Sequence, residues 1–159
     1  MHEALFPRLS DKNVAVRAAA VEACALLQDT GDEKDELTKK VRDGSRAHPP
    51  LFHTCVTNPE IPPRQLLDLC AHDPSPVVRA ASTKNLAITR YTLPTLICRV
   101  RDTSSSVRVA ALDVLKNGVD CRLMTDLERV VVLRSGLTPR CDVTYLAASR
   151  MLCCGWLKR

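Results

Sequence analysis

The sequence is poor in aromatic residues, which make up 3% of its 159 residues, although hydrophobic residues make up 45%. A core with few rings must be filled closely by Leu, Val, Ala, Ile and Cys side chains. Small aliphatic cores suit packed helices better than an aromatic-rich sandwich or barrel. A chain of this length buries roughly two thirds of its unfolded surface, so we expect one domain with a substantial core.

Long hydrophobic runs are also missing from the sequence. No stretch approaches the ~20 apolar residues that a helix needs to cross a bilayer. Residues 1–30 lack the basic start and the apolar block of a signal peptide. We therefore expect a soluble, intracellular protein without a membrane partner.

Glycine is rare, with five isolated residues. The patterns G-x-x-x-x-G-K, G-x-G-x-x-G, G-x-S-x-G and H-E-x-x-H do not occur in the sequence. Phosphate-binding loops, nucleophile elbows and helical zinc-protease sites need those backbones or ligands. We accordingly expect no enzyme, no catalytic residues, no cofactor and no small-molecule substrate.

The eight cysteines are scattered, and several occupy apolar-periodic positions where a reduced thiol acts as a small hydrophobe. This usage favours a reducing compartment over a disulfide framework. The best metal candidate combines His53 and Cys55 with Cys70 and His72. Cys70 and His72 lie near a helix end, where residues two apart diverge by about 200°. We therefore expect Cys70 in the core, His72 in a turn, and no metal.

The net charge of +5 is unevenly distributed. Residues 1–60 hold 8 Lys and Arg against 10 Asp and Glu, a balance of −2, whereas residues 61–159 hold 15 against 8, a balance of +7. This asymmetry suits nucleic acid or an acidic peptide, and a solubilising surface explains it nearly as well. The candidate contacts to a DNA backbone are Lys84, Arg90, Arg99, Arg101, Lys116, Arg122, Arg129 and Arg140. With so few aromatics to stack on bases, such contacts would be independent of DNA sequence.

One pattern occurs three times: an aspartate, a valine five residues later and an arginine six residues later. Its aspartate and arginine are Asp11 and Arg17, Asp73 and Arg79, and Asp102 and Arg108. Each copy runs into an amphipathic helical stripe, and the second and third follow a shorter apolar helix. The pattern thus predicts helical hairpins with the aspartate at the turn.

The copies divide the chain into one helical stack of approximate units: 1–30, 31–60, 61–90, 91–120 and 121–159. Proline breaks and charges make us expect an irregular repeat at 31–60. The last unit lacks the aspartate and the arginine at their expected places. There we predict a capping box between Thr125 and Glu128, a C-cap at Gly136, and a terminal cap at Trp156.

A hairpin of about 30 residues cannot bury its own apolar stripe and must stack on neighbours. The aspartate can accept hydrogen bonds from backbone N–H groups at the start of the second helix. The arginine can then reach the aspartate of the same or the adjacent unit. We predict an Asp–Arg ladder of Asp11, Arg17, Asp73, Arg79, Asp102 and Arg108. Each exposed pair contributes about 0.5 kcal/mol, so its expected use is to fix the register of the hairpins.

The pattern D-x-x-x-x-V-R-x-A on second helices resembles the HEAT repeat. The segments "RVRD", "VLKNGVD", "LMTDLERVVVLRSGL" and "GWL" further resemble the kleisin-binding HEAT subunit family of condensin. The resemblance implies an all-α HEAT/ARM-type superhelix of about four hairpins, and members several-fold longer than this chain.

The same resemblance implies a scaffold in mitotic chromosome condensation. Its implied partners are the kleisin subunit, SMC subunits through the kleisin, and double-stranded DNA. The implied location is the nucleus and chromosomes, with a cytoplasmic pool. On that basis we expect Arg99→Glu with Arg101→Glu to weaken duplex binding with little loss of helicity.

Two other functions remain open from the sequence. A generic HEAT adaptor, in transport or phosphatase assembly, would bind a peptide without DNA. A HEAT-like enzyme accessory would carry a metal or a cofactor.

Overall fold

The computed structural model describes residues 2–25, 63–89, 91–138 and 142–156, and these are helices and turns without a strand. Their helices form four hairpins: α1 (His2–Leu9) with α2 (Val14–Ala25), α3 (Pro63–His72) with α4 (Pro76–Asn85), α5 (Leu93–Arg99) with α6 (Ser105–Gly118), and α7 (Asp126–Leu137) with α8 (Asp142–Met151). A 3-10 turn, Cys121–Leu123, precedes α7, and a π-helical turn, Leu152–Trp156, extends α8. The predicted all-α stack of about four hairpins is confirmed.

The hairpins stack so that their helices form two layers. The second helices contact one another in the order α2, α4, α6 and α8, and the first helices α3, α5 and α7 contact one another beside them. Each first helix also contacts the second helix of its own hairpin. Equivalent turns are therefore brought together along one edge of the stack, because every hairpin repeats the same arrangement.

The core between the layers is aliphatic, as the composition predicts. Its largest fully buried side chains include Leu66, Leu86, Leu96, Leu112 and Leu115. Trp156 is 8% exposed and lies in the same core, which agrees with the predicted terminal cap.

Two cysteines, Cys24 and Cys70, are fully buried in this core. Burial raises the pKa of both thiols because it penalises the charged thiolate. Since the thiolate is the reactive form, both side chains act as small hydrophobes.

The first two described hairpins pack directly on each other. Helix α2 packs directly on α4, and Arg17 of the first hairpin bonds Asp73 of the second. These two hairpins are immediate neighbours among the described residues. The irregular repeat expected at 31–60 lies outside the described residues.

The aspartate at each turn prepares the second helix. Its Oδ1 accepts a hydrogen bond from the backbone N–H two residues later, at 2.8 Å from Asn13, 2.8 Å from Ser75 and 2.9 Å from Ser104. Such an Asx turn holds the chain extended just before the helix begins. In the second hairpin Pro76, whose missing N–H costs nothing there, opens α4.

The last hairpin confirms one sequence prediction and corrects another. The capping box of Thr125 and Glu128 is present at the start of α7. Gly136, predicted as a C-cap, instead lies buried inside the last turn of α7. A Cβ at this position would stand 2.7 Å from the Ala148 Cβ of α8. The glycine therefore permits close helix packing and does not end the helix.

Candidate functional site

The edge of the stack that carries the turns is built around paired charges. Arg17 on α2 donates from Nε to Asp73 Oδ2 at 2.9 Å and from Nη2 to Asp73 Oδ1 at 3.0 Å. Both side chains are largely shielded, with 11% of the arginine and 3% of the aspartate exposed. A fork of two parallel bonds holds the orientation of the two hairpins as well as their distance.

We call the contact between the turns of two neighbouring hairpins a joint. The joint between the second and third hairpins repeats this geometry. Arg79 on α4 donates from Nε to Asp102 Oδ2 at 3.0 Å and from Nη2 to Asp102 Oδ1 at 2.9 Å. The hydrogen bond with Asp102 raises the pKa of Arg79 more than burial lowers it. The structure thus selects between the two sequence alternatives, since each of these carboxylates is bonded by the arginine of the preceding hairpin.

Each arginine also bonds the backbone of its own turn. The Nη1 atoms of Arg17, Arg79 and Arg108 donate to the carbonyls of Asp11, Asp73 and Asp102 at 2.8, 2.8 and 2.9 Å. One guanidinium therefore ties its own turn to the next hairpin. This second contact is invisible to spacing arguments that consider side chains alone.

Asp102 receives a second arginine that the sequence prediction assigned to DNA. Arg99 Nη1 lies 3.1 Å from Asp102 Oδ2 and 3.0 Å from the carbonyl of Ala71 at the end of α3. Its side chain is 18% exposed. Arg99 therefore belongs to the joint, and we withdraw it from the DNA candidates. The i, i+3 spacing to Asp102 was the available signal for this role.

The environment of Asp102 favours its charged form. Burial acts to raise the pKa of this carboxyl group, but hydrogen bonds from Arg79 and from the Ser104 N–H, with the charges of Arg79 and Arg99, outweigh it. The pKa of Asp102 is consequently lowered below its usual value. The carboxylate is ionised at neutral pH and fully engaged in the joint.

The third joint differs from the first two. Arg108 on α6 donates from Nε to the Thr144 hydroxyl of α8 at 3.3 Å, where a carboxylate would be expected. Thr144 is 2% exposed and is the third residue of its helix, as Val78 and Val107 are in theirs. A polar residue at a core position was the signal that the sequence analysis overlooked.

The first aspartate of the ladder is less enclosed than the others. The Asp11 side chain is 25% exposed, and its recorded cation is Arg8 of the same turn, at 3.5 Å. A carboxylate whose ion pair is long and local is held more weakly than Asp73 or Asp102. The predicted ladder residues thus form two bidentate joints and one joint with a neutral hydroxyl. The carboxylate of Asp11 takes part in no joint among the described residues.

The other basic candidates lie in different places. Lys84 and Lys116 occupy the last turns of α4 and α6, at the edge opposite the turns of the ladder, and Arg122 follows α6 there. Arg129 is half-buried and bonds the Cys121 carbonyl and Asp126. Arg101 is exposed at the turn before Asp102. Arg90 and Arg140 lie outside the described residues.

The sequence candidates for a metal site are not brought together in the described part of the chain. Cys70 is buried beside the Thr83 hydroxyl at 3.4 Å, and His72 is exposed. His53 and Cys55 lie outside the described residues. Within the ranges that the structure describes, no three His, Cys, Asp or Glu side chains form a group suited to a metal ion, and no helix is long and apolar enough to span a bilayer.

Comparison with known proteins gives one family model and several relatives. The model described as "HEAT repeat associated with sister chromatid cohesion" matches residues 64–82 and 93–115, which cover most of α3 to α6. Condensin complex subunit 3 of Homo sapiens is 30% identical over 158 residues, and that of Schizosaccharomyces pombe is 29% identical over 160 residues. Each alignment covers 99% of this chain. The chain has a HEAT-type helical fold and resembles condensin complex subunit 3.

The chain spans 13% of the human relative and 15% of the S. pombe relative. The S. pombe condensin Cnd3–Cnd2 subcomplex contains a chain that superposes with a TM-score of 0.61 at 23% identity. The superposition covers 98% of this chain and 24% of that one. It supports the HEAT-type superhelical fold.

Proposed function

We propose that this chain is a non-enzymatic HEAT-repeat scaffold segment of a condensin-type complex. It would bind the kleisin subunit, connect through it to SMC subunits, and hold double-stranded DNA during chromosome condensation. The observation that carries the proposal is the similarity to condensin complex subunit 3 over 99% of the chain. A place on chromosomes in the nucleus, with a cytoplasmic pool, follows from the same similarity.

The stack of hairpins supports a scaffold role. Two bidentate joints hold three successive hairpins in one orientation, which keeps side chains on different hairpins at constant separations. An extended peptide segment can lie along such a surface and be bound at several points. The Cnd3–Cnd2 subcomplex of S. pombe is an assembly of the related subunit with Cnd2, the kleisin.

The kleisin part of the proposal is tested by co-expression. The full 159-residue chain with an affinity tag is expected to co-purify with the condensin kleisin at equal molar amounts. The kleisin of cohesin is the matched control, because the family model that matches this chain is associated with sister chromatid cohesion. Failure to retain the condensin kleisin, or equal retention of both, would contradict the assignment.

The DNA part of the proposal rests on two basic residues away from the ladder, of which Lys84 is exposed and Lys116 is half-buried. Lys84 and Lys116 end successive second helices on the same edge of the stack, so both can face one duplex. Lysines at such positions neutralise phosphates and release counterions, which makes binding fall steeply with salt. A sequence-independent contact is therefore expected at this edge.

The test is fluorescence anisotropy on a duplex of random sequence over a series of salt concentrations. Lys84→Glu with Lys116→Glu is expected to weaken binding at least tenfold and to reduce the salt slope by about two. Lys12→Glu with Arg134→Glu changes the net charge equally at exposed positions outside this edge and should have a smaller effect. Equal effects of the two pairs would show attraction by net charge alone. No binding at low salt would instead favour a peptide adaptor without DNA.

The double substitution of Arg99 and Arg101 is unsuited to this test. Arg99→Glu would put a second carboxylate beside Asp102, which is 3% exposed. Two like charges there would destabilise the joint, so we expect this variant to lose stability whether or not it binds DNA. Arg101→Glu alone is the appropriate variant at that edge.

A further inference from the structure

An open cleft lies between the first two hairpins, at the edge of the stack that carries the turns. Its volume is about 380 Å³, and its walls come from the end of α1 and the end of α3. Leu9 and Leu69 give the apolar part of the wall, and Asp68, His72 and Asp73 are among its polar groups. A water molecule takes up about 30 Å³ in the liquid, so the cleft has room for a whole side chain.

The equivalent place between the second and third hairpins is filled by Arg99. Its Nη1 donates to the carbonyls of Cys70 and Ala71 at 3.3 and 3.0 Å. The same nitrogen donates to Asp102 Oδ2 at 3.1 Å. The two carbonyls belong to the last turn of α3, where the helix dipole is negative. One guanidinium group is thus held by the end of one first helix and by the turn aspartate of the next hairpin.

The first joint offers the same kinds of acceptor without a second arginine. The end of α1, at Leu9, takes the place of the end of α3, and Asp73 takes the place of Asp102. Asp102 Oδ2 accepts two guanidinium hydrogen bonds, whereas Asp73 Oδ2 accepts one among the described residues, from Arg17. A carboxylate oxygen has two lone pairs, so Asp73 Oδ2 can accept a second bond where its counterpart already does.

The position of Arg99 is occupied by Cys70 in the second hairpin, since both lie three residues before the turn aspartate. The Asp73 N–H donates to the carbonyl of Leu69, four residues earlier, so α3 stays α-helical up to its turn. The Asp102 N–H donates to the carbonyl of Arg99, three residues earlier, so the end of α5 is wound more tightly. The two ends present the position differently: Cys70 is fully buried in the core, whereas Arg99 reaches the preceding hairpin. Cys70 therefore leaves the cleft unfilled.

The charge of the cleft suits a cation. Its lining carries the carboxylates of Asp11, Asp68 and Asp73 and one guanidinium, that of Arg17. Arg17 is paired with Asp73, so negative charge remains in excess. Arg8, which contacts Asp11 at 3.5 Å, is 63% exposed and lies outside the lining. A nucleic acid would bring phosphates against these carboxylates, so a basic protein segment is the better occupant.

We propose that this cleft binds one arginine side chain of a partner protein. The guanidinium donates to Asp73 Oδ2 and to the carbonyls that end α1, as Arg99 does to their counterparts in the next joint. Its aliphatic stem lies against Leu9 and Leu69, and Asp68 at the exposed rim adds a second negative charge. Arginine is preferred to lysine because its planar fork donates to several acceptors at once. The inference is independent of the proposed function.

Nuclear magnetic resonance of the full ¹⁵N-labelled chain of 17.5 kDa tests the site. The probe is the peptide acetyl-Gly-Arg-Gly-amide, and the same peptide with lysine or with citrulline, an uncharged analogue of arginine, is the control. We expect saturable shifts of the amides of Leu69, His72, Asp73 and Ser75, with a dissociation constant of roughly 1 mM for a single side chain. The lysine peptide should bind more weakly, and the citrulline peptide should not saturate.

Two variants examine the charge and the space of the cleft. Asp68→Asn is expected to weaken binding of the arginine peptide about threefold, because Asp68 is exposed and its charge is partly screened. Asp113→Asn, on the exposed side of α6, removes the same charge elsewhere and should leave the affinity unchanged. Ser10→Trp places a large side chain at the exposed rim without a change of charge and should prevent binding. Circular dichroism verifies that each variant is helical.

Four results would overturn the proposal. The first is the absence of saturable shifts with the arginine peptide. The second is an equal response to the citrulline peptide, which would show that the guanidinium charge is not recognised. The third is saturable shifts that lie only outside the cleft. The fourth is equal weakening by Asp68→Asn and Asp113→Asn, which would show attraction by net charge alone.

Discussion

The first two joints of the stack and the third one solve the same packing problem with different chemistry. Arg17 and Arg79 each meet a nearly buried carboxylate through two hydrogen bonds, whereas Arg108 meets the hydroxyl of Thr144 through one. Removing one member of a buried ion pair leaves a charge without a partner, which costs far more than losing a neutral hydrogen bond. The contrast teaches that register depends on charge in the first three hairpins and on apolar packing at the last.

The largest effect is expected for Asp102→Ala. This substitution removes the carboxylate that Arg79 and Arg99 share and leaves two guanidinium groups in a largely shielded site. We expect a loss of about 3 kcal/mol in the free energy of unfolding, measured by urea denaturation. Asp113→Ala, on the exposed side of α6, is the control and should change stability by less than about 0.5 kcal/mol. Similar losses for both variants would show that Asp102 stabilises the fold no more than an exposed aspartate does.

The next effect compares equivalent arginines. Arg79→Met leaves Asp102 with Arg99 as its remaining cation, and we expect a loss of about 2 kcal/mol. Arg108→Met leaves a neutral hydroxyl and two backbone carbonyls, and we expect a loss of about 1 kcal/mol. Thermal unfolding of both variants at one pH measures the difference. A larger loss at Arg108 would reverse the comparison.

Gly136→Ala examines the close packing of the two helices within the last hairpin. The new methyl group would lie 2.7 Å from the Ala148 Cβ, which is fixed to the backbone of α8 and cannot rotate away. We expect a net loss of about 1 kcal/mol, although alanine favours helix formation over glycine. Gly118→Ala is the control, because its methyl group would meet the end of the flexible Ile88 side chain. Stabilisation by Gly136→Ala would show that α7 and α8 have room to separate.

The smallest effect is a dependence of stability on pH. The pKa of Asp102 is lowered in the folded protein, so the unfolded chain binds a proton at this carboxyl group more readily. Its contribution is present at neutral pH and is lost as the pH falls below about 4, through the lowered pKa. Urea denaturation between pH 6 and pH 3 should show a shallower decline for Asp102→Asn than for the unmodified chain. Parallel curves would mean that the pairing does not depend on ionisation.

Much of the fold follows from local patterns. The stripes after Asp73 and Asp102 predict α4 and α6, and the capping box at Thr125 predicts the start of α7. These features involve residues at most a few positions apart, so their physics is present in the sequence. Gly136 shows the limit, because a glycine near a helix end suits both a C-cap and a close contact. Only the position of Ala148 distinguishes the two.

The candidate site divides in the same way. The repeat spacing identifies the six ladder residues, but it does not say that Arg17 bonds Asp73, which is 56 residues away. Arg99 was assigned to DNA because a basic residue near a turn is equally suited to phosphate and to a carboxylate. Its contact with the carbonyl of Ala71, on another hairpin, decides between them.

By itself the sequence determined that this chain forms helical hairpins with an aspartate at successive turns. In the second and third hairpins an apolar stripe in the sequence also marks the first helix. The tertiary structure alone decided which hairpins are neighbours, that the third joint uses Thr144, and that Tyr145 and Leu146 remain exposed on α8. Helix and turn formation depend on residues close together in the chain, whereas the choice of a partner for a charged or apolar side chain depends on which surfaces folding brings within a few ångströms.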